Sequence, residues 1–176
     1  NVLYSLTKDY TKSTETRYDE FGHGTHVTGI LAACGESSSL GVIKNAPIDI
    51  VPLKVLDKYG NGGDFELSKA IFDAIEAEVD VINLSLAGKG ETYILRNAVN
   101  KAISKGIVVI AAAGNWETST ATVYPASYPG VITVAATSKT KERLTVSNYG
   151  WEVDISAPGE NILSTYLNNG HLVMTG

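Results

Sequence analysis

The stretch Phe21-Gly22-His23-Gly24-Thr25-His26-Val27-Thr28-Gly29-Ile30 sets two histidines three residues apart, the first between glycines. Three roles compete for such a pair: metal ligand, general base, or structural histidine. Spaced i, i+3, the two imidazoles could share one helix face. A zinc site needs three or four convergent ligands. The chain has no His-Glu-x-x-His, Cys34 is its single cysteine, and the one other histidine, His171, stands near the far end. Metal binding is the weakest reading, and no metal ligand is assigned. His26 is followed by Val27, Ile30 and Leu31, which read as buried, so it is taken as a core histidine. His23 differs. Gly22 and Gly24 let backbone or substrate come close, and a histidine opening a helix suits a general base with a carboxylate partner.

The elements that must position such a base alternate along the chain. Residues 48–56 read as a strand, and the glycine-rich break at 61–64 precedes a helix with Leu67, Ala70, Ile71, Ala74 and Ile75 at helical spacing. Asp64 is its expected N-cap. Residues 79–86 read as a second strand. Ile94, Leu95, Ala98, Val99, Ala102 and Ile103 mark a second amphipathic helix, closed by Lys105 and Gly106. Two apolar strands follow at 107–113 and 131–137, and 162–176 reads as a hairpin turning at Asn168, Asn169 and Gly170. Continuous apolar strands joined by helices imply an α/β fold, a parallel sheet flanked by helices on both faces, closed by a C-terminal antiparallel hairpin. Sites in such sheets form outside the carboxyl ends of the strands. Those ends carry Ser85, Gly88, Gly114 and Asn115. The Gly-Asn-Gly-Gly at 60–63 lacks the Lys-Ser/Thr of a phosphate loop and reads as a turn.

Composition narrows the classes further. The 176 residues are 44% hydrophobic and 19% charged, enough for one hydrophobic core in a single domain spanning 1–176. A net charge of −5 without a basic cluster argues against a nucleic-acid partner. No apolar run is long enough to cross a bilayer. Cys34 reads as a half-buried small residue rather than a nucleophile.

Several segments, in order, resemble the subtilisin-like serine proteases: His-Gly-Thr-His-Val-Thr-Gly-Ile-Leu-Ala-Ala from His23, Val-Ile-Asn-Leu-Ser-Leu-Ala-Gly from Val81, Val-Ile-Ala-Ala-Ala-Gly-Asn from Val109, and the later runs from Tyr124 and Val146. The resemblance implies a peptide-hydrolysing enzyme acting on peptide or protein substrates, with His23 as the base that takes a proton from an attacking serine and Asn115 as side-chain donor to the oxyanion. In subtilisin itself such a donor is worth about 3–4 kcal/mol of transition-state stabilisation. Ser85, Leu86, Ala87 and Gly88 would form one wall of the substrate cleft, and Ala112, Ala113 and Gly114 the other. Ala87 stands where the family often has glycine. Trp116 and Val123 would occupy pocket rim and floor and make the pocket shallower. Pro125 matches a cis-proline position. An extended peptide would add to the cleft edges as a strand.

The same resemblance implies a Ser-His-Asp triad whose other members do not match. Only 22 residues precede His23, and neither Asp9 nor Asp19, both in polar surroundings, is assigned the aspartate's role. The nucleophile's motif would place its serine two positions beyond Gly176, and Ser147, Ser156 and Ser164 belong to other matched segments. The expectation is the central part of a catalytic domain, incomplete at both ends, inactive alone, and prone to pair with the missing segments or with itself. The family's calcium sites often follow the histidine helix. Here that loop offers only Glu36 as a strong oxygen ligand, so calcium is reserved for the complete protein. Secretion or cell-surface location follows from the resemblance alone. The alternative reading is a non-catalytic, protease-like module that binds peptides or serves as scaffold. His23 and Asn115 together favour the enzyme.

Overall fold

The computed structural model describes residues 2–11, 18–33, 41–43 and 47–176. The readings of Cys34 and Glu36 fall outside these residues. In chain order the elements are β1 (Lys8–Asp9), α1 (His23–Ala32), β2 (Leu53–Lys54), α2 (Asp64–Glu76), β3 (Val81–Leu84), β4 (Gly88–Lys89), α3 (Tyr93–Ser104), β5 (Val108–Ala112), β6 (Val123–Tyr124), β7 (Ile132–Thr137), β8 (Ile155–Pro158), β9 (Ile162–Thr165) and β10 (His171–Met174). They fall into two compact units. One runs to Ala70 and includes Leu163–Met174; the other holds Ile71–Ile162 with Thr175–Gly176.

The second unit is built on a four-stranded parallel sheet in the order β3-β5-β7-β8. Side chains alternate across it. Ile82, Leu84, Val109, Ala111 and Ala135 are buried on one face. Leu95, Ala98, Val99 and Ala102 are the buried stripe of α3, which packs against β5. Their spacing of three and four is the one that put this helix in the sequence reading. On the opposite sheet face Val81, Val108, Ile132 and Ile155 are 40–57% exposed. α3 ends where Gly106 turns left-handed at φ +82°, and the Ile107 N–H returns to the Ala102 carbonyl at 3.2 Å.

The first unit is sparser in strand. The run 48–56 forms only the two-residue β2, paired in parallel with β1, and an isolated bridge from Ile50 to Val2. Pro52 interrupts it, since proline has no N–H to give a ladder. Asp64 is the first helical residue of α2 rather than its cap. The Leu67 N–H reaches the Gly63 carbonyl at 3.0 Å, which makes Gly63 the cap residue. The closing hairpin turns as expected, with Asn168 and Asn169 at φ +56° and +57° and the Tyr166 N–H on the Gly170 carbonyl at 2.7 Å.

Candidate active site

His23 is the first residue of α1 and is half-buried. Gly22 before it lies at φ +96°, and a Cβ there would stand 2.2 Å from the Tyr166 ring. Glycine is therefore required twice over, by backbone conformation and by contact. β9 and the residue after it hold the backbone of the helix and of the residue ahead of its cap. Ser164 Oγ donates to the His26 carbonyl at 2.8 Å, Thr165 Oγ1 to Thr25 at 3.1 Å, and Tyr166 Oη to Phe21 at 2.8 Å. His26 is 3% exposed, and its Nε2 lies 3.0 Å from the Leu172 carbonyl oxygen. The core reading of His26 holds. Its neighbours Val27, Ile30 and Leu31 are half-buried rather than buried, because the face of α1 packed against β9 is that of His26 and Gly29, where a Cβ at Gly29 would meet Ser164 and Thr165.

The start of α1 is organised by Asp19. Its Oδ1 accepts the N–H of Phe21 at 3.0 Å and of Gly22 at 2.7 Å. Its Oδ2 accepts the N–H of Thr25 at 2.7 Å and the Thr25 hydroxyl at 2.8 Å. Burial is the largest single influence on this carboxyl and opposes its ionisation. The hydrogen bonds from Gly22, Thr25 and Phe21 together outweigh it, holding the pKa below the usual 3.8. An anion here also meets the positive end of the helix dipole. Next to Asp19, Glu20 takes an ion pair from Lys54 at 2.6 Å, and Asp9 lies 3.4 Å from the same ammonium. Desolvation weighs against the Lys54 charge, and the two carboxylates outweigh it and raise its pKa.

In the second unit a cleft of about 210 Å³ opens at the carboxyl ends of the parallel strands. Ser85 and the run Ala112, Ala113, Gly114 and Asn115 line it, with Pro158 and Gly176. Asn115 is exposed, and a Cβ at Gly176 would come within 2.7 Å of its Nδ2. Thus Ser85, Ala112, Ala113, Gly114 and Asn115 are brought together. Leu86, Ala87, Gly88, Trp116 and Val123 are not in the lining. Gly88 pairs with Tyr124, and Lys89 with Val123, in the β4–β6 ladder. Val123 is fully buried; Trp116 is 44% exposed, with the Lys89 ammonium 5.4 Å from its ring centre. The Tyr124–Pro125 bond is cis.

The loop carrying Asn115 is held by a residue that sequence reasoning passed over. Asn148 is completely buried. Its Nδ2 donates to the Ala113 carbonyl at 2.8 Å, and its Oδ1 accepts the N–H of Trp116 at 2.9 Å and of Thr118 at 3.1 Å. Asp19 was likewise unassigned. Its local signal was the spacing to Gly22 and Thr25, a side-chain cap ahead of a helix start. No local signal points to Asn148. Among the described residues, no group of three or more His, Cys, Asp or Glu could hold a metal ion, and no helix is long and apolar enough to cross a membrane.

Comparison with known proteins identifies the family and the fold. The subtilase family model matches residues 2–176. A thermostable alkaline protease of Halalkalibacterium halodurans is 39% identical over 168 residues, covering 95% of this chain and 46% of that protein. Subtilisin E of Bacillus subtilis is 44% identical over 156 residues, covering 86% of this chain and 40% of its own length. A minor extracellular protease of Bacillus subtilis is 38% identical over 164 residues, covering 93% of this chain and 25% of that protein. The crystal structure of a cold-adapted subtilisin-like serine proteinase superposes with a TM-score of 0.88 at 32% identity, over 97% of this chain and 60% of that one. The fold is thus subtilisin-like, a parallel α/β sheet with a closing hairpin, and the chain belongs to the subtilase family. It spans less than half the length of the three protein relatives named here.

Proposed function

We propose that this chain carries the base and the oxyanion donor of a subtilisin-type serine endopeptidase. His23 takes the proton from a serine nucleophile as it attacks the scissile carbonyl and returns it to the leaving amine. The Asn115 amide donates to the oxygen as negative charge develops there. Ser85 and Ala112–Gly114 line the cleft that takes the peptide, and the resemblance adds Leu86, Ala87 and Gly88 to its wall, Trp116 to its rim and Val123 to its floor. The carrying observation is the cleft at the strand ends, where Asn115, the Ala112–Gly114 run and the Gly176 backbone meet. A nucleophile two positions past Gly176, as the resemblance has it, would belong beside that amide.

The 176-residue polypeptide alone is inactive in this reading. Ser147 Oγ is committed to the Ala136 N–H at 3.0 Å, Ser164 Oγ to the His26 carbonyl at 2.8 Å, and Ser85 Oγ accepts from Asn83 at 2.9 Å. Exposed Val81, Val108, Ile132 and Ile155 form an apolar face that takes up either the remaining part of the gene product or a second copy. Export from the cell belongs to the same proposal, supported by the named extracellular protease among its relatives. The test is hydrolysis of a blocked peptide p-nitroanilide by the full gene product, with fluorophosphonate labelling. His23→Ala and Asn115→Ala should each cost at least about 10²-fold in kcat. Undiminished hydrolysis by His23→Ala, or a fluorophosphonate adduct within residues 1–176, would overturn the assignment.

A further inference from the structure

We propose that Asn148 is a positioning residue for the oxyanion donor, an inference that rests on the endopeptidase reading of Asn115. Its side-chain bonds fall on both sides of that residue: Ala113 before it, Trp116 and Thr118 after it. Its own main-chain N–H adds a bond to the Gly114 carbonyl at 2.9 Å. One buried residue therefore fixes the loop at four points, three through its side chain and one through its main chain, around the single side chain that must aim at developing charge. The loop is moulded to it. Gly114 sits at φ +98°, and a Cβ there would stand 2.5 Å from Asn148 Nδ2.

Asn148 is itself anchored. The Arg143 guanidinium donates to the carbonyls of Leu144, Thr145 and Ser147 at 3.0, 3.3 and 2.6 Å. Ser147 Oγ accepts the Ala136 N–H from β7 at 3.0 Å and donates to the Asn148 carbonyl at 3.2 Å. The position of Asn148 is thus referred to the neighbouring strand of the sheet. Asparagine suits the task because one planar group offers a donor and a two-lone-pair acceptor together. An oxyanion donor stabilises the transition state only if it is aimed before the charge appears. Rigidity in this loop therefore belongs to kcat rather than to KM.

In the full gene product with a peptide p-nitroanilide, Asn148→Ala should lower kcat about 10²-fold, close to the loss from Asn115→Ala, with KM within roughly threefold of wild type. In an Asn115→Ala background the same change should add less than about threefold, since the two act as a unit. An unchanged kcat in the single variant, or fully multiplicative losses in the double, would refute the role. Asn148→Asp supplies the conservative comparison. Its ionised carboxylate keeps both N–H bonds but sets an anion against the Ala113 carbonyl; protonation restores the missing donor. Its kcat should rise toward acid relative to wild type, and a profile parallel to wild type counts against the inference. Amide exchange in the full gene product gives a readout independent of hydrolysis. Trp116 and Thr118 should exchange about tenfold or more faster in Asn148→Ala while β5 keeps its protection. Unaltered exchange overturns the positioning role even if the gene product hydrolyses nothing, a result that would separately remove the endopeptidase reading. Should Asn148→Ala fail to fold, Asn148→Asp carries the same comparisons.

Discussion

Replacing Asp19 tests how the start of the histidine helix is held. Asp19→Ala removes the acceptors of three N–H groups and one hydroxyl at once. A hydrogen bond to a charged acceptor contributes about 1.5–3 kcal/mol when the partners are left dry. Asp19 is only half-buried, so water reaches most of the freed groups. The net loss should then lie on the scale of a helix N-cap, about 1–2 kcal/mol. For a chain of this size that is a fall in melting temperature of about 2–8 °C. Asp19→Asn keeps a single acceptor oxygen, so it should lose roughly half as much. The pH dependence gives the sharper test. The folded carboxyl titrates below its ordinary 3.8, so its contribution is complete above that pH and disappears as the pH drops through the folded value. The stability gap between wild type and Asp19→Asn should accordingly close under acid. The assay is circular dichroism melting from pH 2 to 7, paired with amide exchange at Gly22 and Thr25. A gap that is absent at pH 6, or that persists undiminished at pH 2, would refute the capping argument.

Three further outcomes follow from the geometry. Val81, Val108, Ile132 and Ile155 leave an apolar sheet face 40–57% exposed, and burying each such side chain is favourable by up to about 1.5–3 kcal/mol; sedimentation of the 176-residue polypeptide should show concentration-dependent association, which Val108→Lys with Ile155→Lys should reverse. Stable monomers at high concentration would contradict this. Gly114→Ala should destabilise by at least about 1–3 kcal/mol, because a Cβ at φ +98° is strained and meets Asn148 Nδ2; an unchanged urea midpoint would show that the loop yields. Ser164→Ala removes a buried donor to the His26 carbonyl, and since that carbonyl also serves its own helix the expected loss is about 1 kcal/mol. Denaturant titration reads it, and a neutral effect would mean that β9 does not brace α1 through this bond.

The sequence by itself determined what local periodicity and turn chemistry encode. α2 and α3 follow from apolar spacing, the strand cores β3, β5 and β7 from continuous apolar runs, and the end of α3 from Gly106. The left-handed Asn168–Asn169 pair was legible for the same reason: few residues adopt that conformation cheaply. The ordered motifs carried the family, and strand ends pointed to Ser85, Gly114 and Asn115. The strand read at 48–56 shrank because ladder formation depends on a partner, and its partner β1 is two residues long. Only the tertiary structure decided which polar side chains hold the site. Asn148 acts on residues 30–35 positions away, and Ser164, Thr165 and Tyr166 act on α1 and the residue ahead of its cap, 138–145 positions away. A hydrogen bond made across such a separation leaves no period or spacing in the chain; it exists only because packing brings donor and acceptor together.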